Sequence, residues 1–391
     1  MENLLTFSQT NNPVQLDCEL NLKKIYGSPR EMDEFKKRLD IFVGQDTEAC
    51  DIYKLNGDFL RYRTEQLIPK KTNDRTPLLL IFGNPASRSI TSGMFFSPEK
   101  DGQENRLWEH LLGKVGIKGL SLDKALTTTK RNRERMQRLM TGDYDSDFRV
   151  GLCVLMSMPS SAGGTQWSGV AGIRKLLGKR VFDKVAKEER ERILEEAVCF
   201  LQPDGFGVTF QKDAWNSLSS SGNYKLEHAK AGKLKSTFKG LAEVPLFGAP
   251  PTRLLGHCRK TLMEFLNPIF TKVKRFEIYS GGYLGRSFSL LKEDDQLAYT
   301  TFGNGYSLER VEKVNPSPHA WREFFKTLDQ IDIWRWKSRY ENPGIMDGSS
   351  WKVTIELENR KLVSSGSNNF PDNFDILSES VRKLLGGSDF Y

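Results

Sequence analysis

The chain has 391 residues, 38 % of them hydrophobic, which suffices for one large domain with appendages or for two domains. No stretch approaches the roughly 18 consecutive apolar residues of a membrane-spanning helix, and the start, MENLLTFSQTNN, lacks the regions of a signal peptide, so we expect a cytoplasmic protein. Five scattered cysteines without CxxC spacing and four histidines without ligand spacing argue against a disulfide framework and a metal site; we expect neither metal nor cofactor.

The formal net charge is +8, and its local distribution carries more information than its sum. Basic residues concentrate in runs at 130–135 (KRNRER), 225–239 and 272–275. One such run is most simply a solvated helix face. Three runs together make a nucleic-acid-binding surface an equally good interpretation. The candidate DNA-contacting residues in these runs are Lys130, Arg131, Arg133, Lys233 and Lys235.

The N-terminal region, residues 1–70, is predicted to be helical. Ser28 precedes Pro29, with Glu31 three positions after the serine, which predicts a capped helix up to about Val43. The polar stretch at 69–77 then indicates a domain boundary.

Residues 71–325 show the alternation of strand and helix patterns that is typical of an α/β domain. Continuous apolar runs at 78–82 and 150–156 predict buried strands, and 275–282 and 309–314 predict a third and a fourth. Helical spacing is seen at 105–115, 169–201 and 259–270. This alternation predicts a mostly parallel central sheet flanked by helices.

Polar residues follow each predicted strand, namely Asn84, Ser157, Ser280 and Asn315. In a parallel sheet the ligand site lies at the carboxyl ends of the strands, so we expect these residues along one edge. Residues 326–391 are predicted to form a C-terminal α+β extension, with a hairpin turning near Asn359 and a closing helix.

Two motifs in this frame resemble those of a known family. The first is Phe82-Gly83-Asn84-Pro85-Ala86 after a strand, with Gly93 and Phe96 about a dozen residues on, and then Asn105-Arg106-Leu107-Trp108. The second is Asn315-Pro316-Ser317-Pro318-His319. Together they resemble the uracil-DNA glycosylase superfamily, in particular its mismatch-specific uracil/thymine branch, over residues 78–325.

The sequence also departs from this pattern. Gly83 stands where the branch has isoleucine, and Ala86 where it has glycine. The second strand ends in Met156-Ser157-Met158, without the polar residue that usually contacts the pyrimidine. The resemblance therefore leaves the target base open among uracil, a damaged base and an enzymatically modified base.

The resemblance implies a DNA glycosylase that flips a nucleotide out of the DNA and hydrolyses its N-glycosidic bond. It implies that Asn84 holds the attacking water and that Asn315 assists from the second motif. Phe96 would stack on the base, and the residues expected to contact the base besides are Gly83, Ala86, Ser87 and Ser157. Ser317 and His319 would contact the DNA. Since no lysine is placed to form a Schiff base, we expect a monofunctional, monomeric enzyme acting on duplex or single-stranded DNA.

Two alternatives stay open. The first is a non-catalytic nucleic-acid-binding protein on the same fold, and the second is an α/β hydrolase of nucleotides or other small molecules. The sequence does not separate DNA repair from defence against foreign DNA with modified bases, because both use the same chemistry.

Overall fold

A computed structural model describes residues 3–70, 75–98, 101–202, 205–251, 256–266, 272–293, 296–316, 318–342, 344, 348–358 and 360–390. The chain forms two compact units, Met1–Leu262 and Met263–Tyr391, and the predicted divisions at residues 70 and 325 do not coincide with this boundary. Within the described residues, none of the helices combines the length and the apolar character needed to cross a membrane.

The helices and strands are as follows. The α-helices are α1 Leu22–Ile25, α2 Pro29–Gly44, α3 Ala49–Ile52, α4 Ser87–Ser92, α5 Thr128–Thr141, α6 Gly169–Leu177, α7 Lys179–Leu201, α8 Lys212–Leu218, α9 Leu226–Lys230, α10 Gly256–Leu266, α11 Pro318–Gln330 and α12 Phe374–Leu384. The strands are β1 Leu5–Gln9, β2 Gln15–Asn21, β3 Lys54–Asn56, β4 Phe59–Glu65, β5 Thr76–Phe82, β6 Phe148–Val154, β7 Phe206–Thr209, β8 Lys235–Phe238, β9 Leu241–Gly248, β10 Arg275–Gly282, β11 Ser287–Glu293, β12 Gln296–Phe302, β13 Leu308–Val314, β14 Arg339–Glu341, β15 Ser349–Glu356 and β16 Lys361–Ser367. A π-helix at Leu107–Leu112 continues as a 3₁₀ turn, Gly113–Val115, and further 3₁₀ turns span Asn304–Tyr306 and Ile333–Arg335.

The first unit contains a five-stranded mixed sheet in the order β6-β5-β7-β9-β8, parallel except for the β8–β9 pair. Strands β5 and β6 are buried along their whole length, as the two apolar runs predict, because helices and loops cover both faces of the sheet. The parallel strands β7 and β9 were missed by the sequence analysis. β7 has only four residues, too few for a clear pattern.

The N-terminal region is not a separate helical appendage. Helix α2 begins as predicted, with Ser28 Oγ accepting a hydrogen bond from Glu31 N at 3.3 Å. However, β1, β2, β4 and β3 form an antiparallel sheet in that order. The polar alternate residues of β2 concealed its strand character, although its other face is buried. This sheet shares one hydrophobic core with the parallel sheet.

The second unit is built on a seven-stranded sheet in the order β13-β12-β11-β10-β15-β16-β14, antiparallel except for the β14–β16 pair. Strands β10 and β13 occupy the predicted positions, but they belong to this sheet and not to the parallel one. The expectation of one mostly parallel sheet that includes all four predicted strands is therefore wrong for β10 and β13, whereas β5 and β6 do lie in a mostly parallel sheet. The predicted hairpin is present as β15 and β16, and the closing helix as α12, while Asn359 lies outside the described residues.

Candidate functional site

A cavity of about 230 Å³ lies at the carboxyl ends of β5, β6 and β7. Its aromatic wall consists of Phe82, Phe95, Phe96 and Phe210. The polar side chains that line it belong to Glu65, Asn84, Arg88, Ser89, Ser97, Asn105 and Gln211. The position is the one expected for a ligand site in an open parallel sheet. A larger depression of about 820 Å³ in the second unit contains none of the predicted site residues.

The loops after β5 and β6 pair with each other and form the floor of this region. Met156 N donates to Gly83 O at 2.8 Å, Ser160 N donates to Pro85 O at 3.1 Å, and Ser87 N donates to Ser160 O at 2.9 Å. The backbone N–H of Ser87 is therefore already used, and the Ser87 side chain is buried. This corrects the expectation that the Ser87 amide contacts a base, whereas Ala86 does line the cavity.

The Asn84 side chain has a fixed orientation. Its Nδ2 donates to three acceptors, Pro85 O at 3.1 Å, Met158 O at 3.2 Å and Ser160 Oγ at 2.9 Å. Because Pro85 O and Met158 O are carbonyl oxygens, which can only accept, the amide cannot be reversed without placing its oxygen against them. Oδ1 therefore points away from this network, and within the described part of the chain no group donates to it. Asn84 thus lines the cavity with an amide held in one orientation.

Phe96 is half-buried on the cavity wall in a left-handed conformation, with φ of 45°. Its ring meets Phe82 edge to face, with ring centroids 4.7 Å apart. Trp108 Nε1 donates to Phe96 O at 2.9 Å and so holds the backbone in this uncommon conformation. The Asn-Arg-Leu-Trp segment therefore supports the aromatic wall, and Asn105 of the same segment also lines the cavity.

Ser157 does not line the cavity, which corrects its assignment as a base-contacting residue. It is fully buried, its hydroxyl lies 2.7 Å from Tyr62 Oη, and its N–H donates to Glu189 Oε1 at 2.6 Å. Its hydroxyl and its N–H are thus engaged in holding the loop after β6 against β4 and α7. The residue is structural because both groups already have partners.

Gly83 does not line the cavity and is buried beneath the Gln211 side chain, which corrects its assignment as a base-contacting residue and brings in a neighbour that was not predicted. Gln211 follows β7, the strand next to β5, and its amide has no hydrogen-bond partner within the described residues. The end of β6 thus lacks a polar side chain that lines the cavity, and the end of β7 supplies one, Gln211. The signal was the position of Gln211 after an apolar run, but β7 itself was not predicted.

The basic run 130–135 lies on α5, which packs against the cavity wall. Asn132 Nδ2 donates to Ser92 O at 3.1 Å and to Ser97 Oγ at 2.8 Å. Arg131 is buried and Nη2 donates to Gly102 O at 2.8 Å, so its assignment to DNA contact is corrected. Helical periodicity turns Arg131 inward, whereas Lys130 and Arg133 remain exposed.

The other predicted residues lie away from this cavity or cannot be described. Lys233 and Lys235 are exposed at the start of edge strand β8. Asn315 is exposed after β13, an edge strand of the antiparallel sheet, so it does not follow a strand of the sheet that carries Asn84. Ser317 and the side chain of His319 lie outside the described residues.

The arrangement combines a fixed hydrogen-bond acceptor, an aromatic wall and a free amide in a cavity smaller than the roughly 300–1,000 Å³ of drug-sized sites. It suits a small planar ligand held by stacking and by a few polar contacts. No protein-family model matches the chain, and a search of curated proteins finds no similar sequence.

Proposed function

We propose that the chain is a monofunctional DNA glycosylase with a uracil-DNA glycosylase-like first unit. The observation that carries the proposal is the Asn84 amide, whose nitrogen is held by three acceptors while its oxygen is left for another donor. The motif resemblance assigns a water-positioning role to the same residue. A group in that role must be immobile, because positioning supplies most of its effect when the group is a weak base.

The cavity wall supports a nucleobase as the ligand. A flipped base is planar and apolar on its faces, and it is recognised by stacking and by hydrogen bonds to its edge. Phe96 and Phe82 supply ring surface, and Gln211 supplies both a donor and an acceptor. Exposed Lys130 and Arg133 lie on the helix that contacts the wall segment and would bind DNA phosphates.

In the proposed reaction the bond between C1′ and the base breaks, and its electron pair goes to the base. The sugar develops positive charge, and the water oriented by Asn84 Oδ1 adds to C1′. Water loses one proton to solvent, and the base gains one, so the products are a free base and an abasic site. No lysine lines the described part of the cavity, which agrees with hydrolysis without a Schiff base.

The test is base release from a panel of duplex and single-stranded DNAs that carry uracil, mismatched thymine, hypoxanthine or 5-hydroxymethylcytosine. Wild type is expected to generate alkali-labile abasic sites from at least one substrate, and Asn84→Ala to lose this activity. Asn21→Ala, which removes a helix N-cap away from the cavity, is the matched control and should remain active. Salt-sensitive DNA binding without release of any base would favour the binding-protein alternative instead.

A further inference from the structure

The cavity contains a buried carboxyl group that the motif resemblance does not include. Glu65 is the last residue of β4 and is 3 % exposed, yet it lines the cavity. Its Oε2 has no hydrogen-bond partner among the described residues. Burying an unpaired carboxyl group costs free energy, and buried polar groups are normally paired. An unpaired carboxyl group in a cavity wall therefore points to a hydrogen bond with a ligand.

The chain reaches this position through an unusual connection between the two sheets of the first unit. Leu67 and Leu152 exchange both backbone hydrogen bonds at 2.8 Å, as antiparallel partners. In antiparallel register, Glu65, two residues before Leu67, therefore lies opposite Val154, two residues after Leu152. Both residues line the cavity. The N-terminal sheet thus places Glu65 beside the end of β6. The loop that follows β6 supplies no polar residue of its own at this position.

No charged side chain of the described residues forms an ion pair with Glu65. Arg88 is the other charged side chain on the described cavity wall, but its guanidinium donates to Pro98 O at 3.1 Å and lies 3.8 Å from Glu48 Oε1. Arg192 and Glu196 of α7 contact the adjacent Gln66, which points away from Glu65, as successive residues of an extended chain do. Burial alone raises the pKa of the Glu65 carboxyl well above its usual range, which favours the protonated form.

We propose that Glu65 is the general acid of this cavity, donating a hydrogen bond and then its proton to the departing base. The inference rests on the proposed glycosylase function and narrows its substrate class. A proton from a carboxyl group is accepted readily by a ring nitrogen with a free lone pair, as in cytosines and purines. Uracil and thymine carry a hydrogen on the corresponding ring nitrogen, so Glu65 selects cytosine-type or purine bases against them.

The step balances without any further reactant. The Glu65 proton goes to the ring nitrogen, the C1′–N bond breaks with its electron pair on the base, and the base leaves neutral. The water held by Asn84 bonds to C1′, and its proton returns through solvent to the Glu65 carboxylate. The acid is thereby restored for the next turnover.

The test compares wild type, Glu65→Gln, Thr64→Val and Asn84→Ala in single-turnover base release between about pH 5 and pH 9. Glutamine keeps the shape and a donor but has no proton to give, and as a neutral group it can be buried. Thr64 is the matched control, since it is also buried with an unpartnered oxygen but does not line the cavity. A second measurement follows the binding of free cytosine, adenine and uracil by NMR.

We expect Glu65→Gln to slow base release by about 10²–10⁴-fold, the usual contribution of a general acid. The wild-type rate should fall as pH rises through the Glu65 pKa, and this dependence should be absent in Glu65→Gln. Thr64→Val should stay within about threefold of wild type, and binding of free cytosine or adenine should exceed that of uracil only when Glu65 is present.

Two negative outcomes are distinguishable. If Asn84→Ala is inactive while Glu65→Gln keeps the wild-type rate and pH profile, the glycosylase function stands and the role of Glu65 is refuted. If wild type releases no base from any substrate, the proposed function is refuted and the role of Glu65 falls with it.

Discussion

Gly83 lies so close to Gln211 that a β-carbon at position 83 would be 1.7 Å from Gln211 Oε1. The glycosylase branch that the first motif resembles has isoleucine at this position. The departure thus has a physical reason, because here the space of that side chain is taken by the Gln211 amide.

Gly83→Ala should therefore displace the Gln211 side chain and lower the free energy of unfolding by about 1 kcal/mol, the lower end of the cost of overpacking, because only the far end of a flexible side chain has to move. Gln211→Ala, which removes the obstacle, should suppress most of this loss in the double variant, since residues in contact are not additive. Urea unfolding of the two single variants and the double variant measures the coupling. Additive losses would show that the two positions do not compete for space.

The hydrogen bond from Trp108 to the Phe96 carbonyl fixes the aromatic wall. Trp108→Phe removes this donor and also part of a fully buried ring, so it should lower the free energy of unfolding by more than the roughly 1 kcal/mol of a typical hydrogen bond. It should also weaken base binding, because Phe96 is then free to leave its left-handed conformation. The check is urea unfolding together with NMR binding of a free base; undiminished binding would mean that packing alone holds Phe96.

Glu104 and Arg135 form an ion pair with side chains that are 2 % and 0 % exposed, and Arg135 also lies over the Trp108 ring at 4.5 Å. Burial lowers the pKa of Arg135 to about 10, so the guanidinium keeps its charge near neutral pH. Glu104→Gln should cost about 3–5 kcal/mol, because it leaves a buried charge without its partner.

The exposed Arg30–Glu34 pair provides the comparison for this prediction. Its Arg30 side chain is 90 % exposed, so Glu34→Gln should change the free energy of unfolding by less than about 1 kcal/mol. Equal effects of the two substitutions in thermal or urea unfolding would show that the Glu104–Arg135 pair is solvated.

The sequence was informative wherever local pattern decides structure. The apolar runs of β5 and β6 and the Ser28 cap of α2 were predicted because burial on both faces and capping leave local signatures. The order of strands within a sheet depends on long-range pairing. For that reason the assignment of β10 and β13 to the parallel sheet was wrong, although both strands exist.

The candidate site could likewise be predicted only where one local motif carries its residues. Asn84, Ala86 and Phe96 line one cavity because a single motif carries them. Glu65 and Gln211 could not be found, since one arrives from a sheet that was predicted as helical and the other follows a strand of four residues. Arg131 was assigned to the surface because composition does not tell which face of a helix is buried.

Asn84→Asp tests the orientation of the amide. The substitution places a carboxylate oxygen against the carbonyl oxygens of Pro85 and Met158, so it should lower the free energy of unfolding by about 2–3 kcal/mol at neutral pH. The deficit should shrink at acidic pH, where the protonated carboxyl can donate again. Ser160→Ala removes one partner of Asn84 and also the acceptor of Gly169 N, so it should cost about 2 kcal/mol. If Asn84→Asp proved as stable as wild type at neutral pH, the assigned orientation would be contradicted.

The protonation of Glu65 can be measured without any substrate. Its pKa is raised in the folded protein, so the folded state binds the proton more tightly than the unfolded state does. The resulting stabilisation is complete below the unfolded value of about 4.3 and is lost as pH rises through the folded pKa, at up to about 1.4 kcal/mol per pH unit. Glu65→Gln has no such dependence and should become increasingly stable relative to wild type as pH rises from about 4.3 towards the folded pKa of Glu65. Thr64→Val should instead follow wild type at every pH, and parallel urea-unfolding curves for Glu65→Gln and wild type would mean that the carboxyl is ionised and solvated in the cavity.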